Sequence, residues 1–104
     1  INTPINNIYV ISVMNKVTQE FTVENENGLH ARPSSSLVKK ANEFQSHIEI
    51  IAEDGEVVDG KSILGIMLLG ASKGTKLKIT AEGDDATEAI YALGSLFKDK
   101  FGEN

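Results

Sequence analysis

From Lys16 onward the spacing of apolar residues switches repeatedly between two and about 3.6, as in a chain that alternates strands with helices. Val17, Phe21 and Val23 share one face of a predicted half-buried strand, with Gln19 the polar exception. The polar stretch from Glu24 to Gly28 is a turn, broken at Asn27-Gly28. Leu37, Val38, Ala41 and Phe44 then recur at helical spacing and predict a helix from about Ala31 to Phe44, where Pro33 is tolerated because it falls in the first turn. Ile48, Ile50 and Ala52 alternate with polar neighbours, Asp54-Gly55 turns the chain, and Val57-Val58 continue on a return strand. Ser62 precedes the apolar segment Ile63 to Leu69, a short helix with a serine N-cap and Gly70 as its C-cap. Thr75 to Ala81 alternates cleanly as a fourth strand. Asp84 or Asp85 caps a last helix that turns Ala86, Ala89, Ile90, Leu93, Leu96, Phe97 and Phe101 inward and carries Lys98 and Lys100 at its negative end. The order β-α-β-β-α-β-α predicts an α+β fold, an open-faced two-layer sandwich with a sheet on one side and helices on the other.

No charged residue precedes Lys16. Residues 1–13 are therefore expected to be an uncharged N-terminal extension without chemistry, a pairing strand being the alternative, and Met14 to begin a working domain of residues 14–104. The apolar run from Ile8 to Met14 lacks a preceding Lys or Arg and a following cleavage pattern, so it does not read as a secretory signal. It is also far shorter than the roughly 20 residues a bilayer span requires. Ten Lys plus Arg against fifteen Asp plus Glu give a formal charge of −5, which argues against a nucleic-acid or anionic-membrane partner held by a general basic surface. A sheet-and-helix RNA-binding domain is disfavoured further, because Phe21 lies on the apolar side of its strand and the fourth strand shows only Lys76 and Lys78. Without Cys there is no disulfide, thiolate zinc site or cysteine nucleophile, and two His with no spaced carboxylate cluster predict neither metal nor other cofactor. His47, at the start of a strand on the solvent side, reads as structural.

The scarce residues cluster: the only arginine, Arg32, lies within four positions of His30 and Pro33. His30 sits where the first loop becomes the first helix. There the initial backbone N–H groups lack partners and the helix dipole adds partial positive charge. Arg32 contributes a planar cation suited to phosphate oxygens, so the helix start is expected to be a small electropositive spot. An imidazole nitrogen in this position is able to accept a phosphoryl group as a nucleophile, with the N–H groups and Arg32 stabilising the added charge. Junction geometry alone leaves a second reading open, an exposed histidine at the helix start with no chemistry.

The segment Gly28-Leu29-His30-Ala31-Arg32-Pro33-Ser34-Ser35 resembles the active-site signature of the HPr family, the histidine phosphocarriers of the bacterial phosphoenolpyruvate:sugar phosphotransferase system. A second segment, Gly55-Glu56-Val57-Val58-Asp59-Gly60-Lys61-Ser62-Ile63-Leu64-Gly65-Ile66-Met67-Leu68-Leu69-Gly70, resembles that family's regulatory-serine signature, in the family's order and near its spacing. The resemblance runs from about Lys16 to Phe101. It implies an antiparallel four-stranded sheet with three helices on one face, in agreement with the element order. It further implies that His30 takes a phosphoryl group on Nδ1 from phospho-Enzyme I and passes it to the IIA domains of sugar permeases, while Arg32 steadies the group. The chain would then be a cytoplasmic, monomeric phosphotransfer intermediate and not an independent enzyme. Partners would dock on Ala31, Arg32 and Ser35 together with Ile63, Leu64 and Met67.

In the short second helix Ile63, Leu64, Ile66, Met67, Leu68 and Leu69 are apolar all round, and a helix of two turns on a two-layer domain cannot bury every side, so Ile66 and Leu69 are expected inside and some of the rest exposed as a patch, the alternative being that all six pack. Met67 would be an adaptable contact. Ser62 is expected to cap this helix, and the resemblance implies a second role as the target of an HPr serine kinase/phosphorylase. Its phosphate would add about −1.5 to −2 charges beside the docking patch. Some positions depart from the family pattern: Ser34-Ser35-Ser36 places hydroxyls where small apolar residues are frequent, and Gly65 offers no basic side chain. Lys39 and Lys40 are then the main extra cations, and steering toward Enzyme I is expected to be weaker. The alternative within the family is a mainly regulatory protein that binds a catabolite-control transcription factor or nitrogen-type phosphotransferase partners. His30 counts against it, because purely regulatory relatives lack the active histidine.

Overall fold

The computed structural model describes residues 15–103, and the extension expected over 1–13 lies outside them. The element order is β1 (Lys16–Thr22), α1 (Ala31–Ala41), β2 (His47–Ile51), β3 (Val57–Asp59), α2 (Ile63–Leu68), β4 (Lys76–Glu82) and α3 (Ala86–Lys98), closed by a 3-10 turn over Lys100–Gly102. The four strands form one antiparallel sheet in the order β1-β4-β2-β3, with the helices packed on one face. The predicted architecture is thus the observed one.

Alternation along each strand decides which residues meet the helices. Leu77, Ile79 and Ala81 of the central strand β4 stand opposite Phe21, Ile50 and Ile48, and all but half-buried Phe21 are fully covered. On the open face the register sets Lys16 against Glu82 and Glu20 against Lys78, opposite charges across neighbouring strands. His47 lies on this face, exposed, with Nε2 3.0 Å from Glu49 Oε2. Leu37, Val38 and Ala41 of α1, Ile66 of α2, and Ala89, Ile90, Leu93 and Phe97 of α3 complete the core. Phe21 stacks on Phe97 at 5.2 Å between ring centroids. That approach requires Gly94, since a Cβ there would lie 2.6 Å from the Phe21 ring.

Two helix ends and one cap differ from expectation here. α1 stops at Ala41 and does not reach Phe44: the Asn42 amide still bonds four residues back to the Val38 carbonyl, but the Glu43 and Phe44 amides bond only three back, to the Lys40 (3.0 Å) and Ala41 (3.1 Å) carbonyls. α2 stops at Leu68, with Leu69 in the C-cap position and Gly70 following at φ +62°. Asp85 does occupy the N-cap of α3, but its carboxylate does not cap that helix. It accepts from the Gln45 amide (2.8 Å), the Ser46 amide (3.0 Å) and the Ser46 hydroxyl, and so ties the α1–β2 loop to α3.

Candidate functional site

His30 is the N-cap of α1 in extended conformation, and its carbonyl accepts from the Ser34 amide at 3.1 Å. Its side chain is 40% exposed and caps nothing, which leaves the ring available to partners. Pro33, buried, has no N–H to satisfy and so fits the first turn at no cost in hydrogen bonds. Ser34, also buried, donates its hydroxyl to the Leu29 carbonyl at 2.9 Å and braces the loop from the helix side. The free N–H groups of Ala31 and Arg32 begin the helix beside the ring, and both residues are exposed. Arg32 makes no ion pair among the described residues.

The loop before His30 is held by segments distant in sequence. Leu29 N–H donates to the Ala71 carbonyl at 2.9 Å, three residues beyond α2. Gly28 takes φ +67°, and a Cβ on it would lie 2.4 Å from the Ala71 oxygen, so this crossing needs glycine on both counts. The C-terminal segment closes the other side. The last helix, expected to run on through Lys100 and Phe101, ends at Lys98, because these two residues adopt φ of +53° and +55° and turn the chain left-handed. Phe101 is thereby buried edge-on against Phe97 at 5.0 Å, and the chain doubles back to the His30 ring.

The electropositive helix start is met there by a carboxylate that the sequence did not point to, because Glu103 stands against His30. Its Oε2 lies 3.1 Å and its Oε1 3.3 Å from His30 Nε2, and its side chain is only 15% exposed. Asn25, fully buried, donates Nδ2 to Glu103 Oε1 at 3.0 Å and to the Gly28 carbonyl at 2.7 Å. The Asn25 hydrogen bond, then His30 and the more distant Arg32 cation, hold the Glu103 carboxyl below the usual carboxylate range. Sequence reasoning missed both residues. Asn25 looks like any polar turn residue, and Glu103 belongs to no motif; only the reversal at Lys100-Phe101 brings it to the site.

α2 packs against α1 and β3 and leaves one face open. Ile66 is fully buried and Leu69 half-buried, while Ile63 (42%), Leu64 (68%) and Met67 (40%) are exposed with Leu68 and Val57, which were not singled out beforehand. Ser35 is exposed on α1. Ser62, half-buried, caps α2 as expected, its Oγ accepting from the Gly65 amide at 3.0 Å. A concavity of about 440 Å³ between β1 and α3 is lined by Phe21, Tyr91 and Gly94 among others and includes no residue of the His30 site. No helix among the described residues is long and apolar enough to cross a membrane.

An exposed imidazole on an open surface, in a molecule that also exposes an apolar patch, suits contact with proteins rather than with small molecules in a cleft. Residues 17–99 match the family model described as PTS HPr component phosphorylation site. The phosphocarrier protein HPr of Xylella fastidiosa (strain Temecula1) is 42% identical over 82% of this chain and 94% of its own length. A multiphosphoryl transfer protein of Haemophilus influenzae is 43% identical over 89% of this chain, but the match spans only 19% of that much longer relative. The crystal structure of HPr-C-His from Thermoanaerobacter tengcongensis superposes with a TM-score of 0.77 at 46% identity, covering 88% of this chain and 99% of that one. The chain belongs to the HPr family, the phosphocarriers of the phosphotransferase system.

Proposed function

We propose that His30 is the residue on which this chain carries its phosphoryl group, accepting it from phospho-Enzyme I and delivering it to IIA domains of sugar permeases. The observation that carries this reading is the half-exposed His30 ring at the N-cap of α1, within the family's signature and next to Arg32. The Nδ1 lone pair attacks phosphorus, the P–N bond to the donor histidine breaks, and its electron pair returns to the donor ring. Delivery runs the same exchange in reverse toward the next acceptor. The free amides of Ala31 and Arg32 and the Arg32 guanidinium supply donors for the phosphoryl oxygens. The exposed face of Ile63, Leu64 and Met67 with Ala31 and Ser35 is the docking surface, to which the molecule presents itself as a monomer in the cytoplasm.

Ser62 is the regulatory position in this reading. A serine kinase acting there would place a dianion at the start of α2, where the free amides tolerate it and partners must approach. The same modified surface would be the one a catabolite-control transcription factor reads. Incubation with labelled phosphoenolpyruvate and Enzyme I tests the central claim: an acid-labile label is expected on the wild-type protein and none on His30→Ala. Label retained by that variant would assign the acceptor elsewhere.

A further inference from the structure

We propose that Glu103, held by Asn25, is a positioning residue that fixes the proton of the His30 ring on Nε2 and so leaves the Nδ1 lone pair for the incoming phosphorus. The inference deepens the acceptor reading of His30 and rests on it for its consequence, though not for its geometry. An ionised carboxylate has only acceptor sites, so an imidazole nitrogen 3.1 Å from Glu103 Oε2 and 3.3 Å from Oε1 must bring the hydrogen itself. In a neutral ring that commits the other nitrogen to the lone pair.

Two features show that the carboxylate is held in place and has not merely drifted against the ring. Asn25 is fully buried and its Nδ2 reaches two acceptors, the Gly28 carbonyl and Glu103 Oε1. Its Oδ1 is buried without a hydrogen-bond partner among the described residues. Turning the amide over would set Oδ1 against two oxygens, so the orientation that serves Glu103 is retained although it orphans an acceptor. Secondly, the chain reaches this point through two consecutive non-glycine residues in the left-handed region, Lys100 and Phe101, locked by burial of the Phe101 ring. The same contact serves the phosphorylated state. When Nδ1 forms its bond to phosphorus, the Nε2 proton stays on the ring, the ring becomes a cation, and Glu103 is already in place as its counter-charge.

The test is ¹⁵N NMR of the His30 ring in the full chain, at a pH where the ring is neutral, combined with the initial rate of phosphoryl uptake from phospho-Enzyme I. The wild type is expected to show the Nε2–H tautomer alone. Glu103→Ala is expected to admit the Nδ1–H form and to slow uptake per folded molecule about tenfold, the rate equivalent of one lost charge-assisted hydrogen bond, beyond what its lowered melting temperature explains. Glu103→Gln keeps the side-chain volume but sets an amide N–H against either the Asn25 amide or His30 Nε2, so it too should admit the Nδ1–H form and slow uptake. An unchanged tautomer ratio in Glu103→Ala would overturn the assignment. So would faster uptake, which would mean that the carboxylate only repels the incoming dianion. A shifted tautomer with unaltered uptake, together with label retained by His30→Ala, would instead sink the acceptor reading and leave the assignment of Glu103 standing.

Discussion

Gly28 shows how closely the placing of His30 depends on backbone two positions away. Its φ of +67° and the Ala71 oxygen that a Cβ would meet at 2.4 Å leave no other side chain an unstrained place. Gly28→Ala is therefore expected to cost about 1–3 kcal/mol from the left-handed conformation, with the contact adding to it. Urea unfolding reads the loss. Because Leu29 and His30 follow directly, the variant should also slow phosphoryl uptake by more than its fraction unfolded explains; an unaltered rate per folded molecule would show that the loop does not position the ring. At this scale the scarcity of His30, Arg32 and Pro33 and their place at a helix start were legible in the chain. Glu103 and Asn25 were not, since a hydrogen bond across 78 residues leaves no local trace.

Among the elements, α2 separates stability from recognition within a single turn. Ile66 is wholly buried and Ile66→Ala is expected to cost about 2–5 kcal/mol, whereas Leu64, 68% exposed, should tolerate Leu64→Glu within about 0.5 kcal/mol. The second variant should nevertheless raise the KM of phosphoryl transfer from Enzyme I severalfold, because it places a charge in the docking face. A normal KM would remove α2 from the proposed surface. The apolar sequence of this helix predicted that some residues must stay outside, but only packing against α1 and β3 decided which. Helix ends were less legible than helix existence. α1 closes three residues before Phe44, where the Glu43 and Phe44 amides bond three residues back instead of four, a tightening that periodicity does not register.

The molecule as a whole is tied together by carboxylates whose bonds cross between elements. Asp85 is held below the usual carboxylate range mainly by the Ser46 hydroxyl and then the Gln45 amide. A depressed folded-state value means that the unfolded chain takes up the proton first as pH falls. The stabilisation is therefore complete above the ordinary Asp value of about 3.9 and is lost as pH drops through the lower folded value. Glu103 acts in the same direction through Asn25. Asp85→Asn is expected to lower the urea midpoint at pH 7 and to flatten its fall below about pH 4; an acid limb as steep as that of the wild type would place the pH dependence elsewhere. The sequence marks Asp85 as a helix cap, and it does stand at that position. Its side chain serves the neighbouring loop instead, where two amides and a hydroxyl offer more bonds than the helix start.

Alternating and helical hydrophobic periods, with two motifs at a helix start and around Ser62, were sufficient by themselves to determine the element order, the two-layer architecture and the family of this chain. These are local properties, written in the side-chain spacing that each element imposes. The tertiary structure alone decided what stands against His30. A buried asparagine, a left-handed turn at Lys100-Phe101 and a glutamate near the C-terminus meet there only because packing of Phe101 on Phe97 folds the end of the chain back over the site.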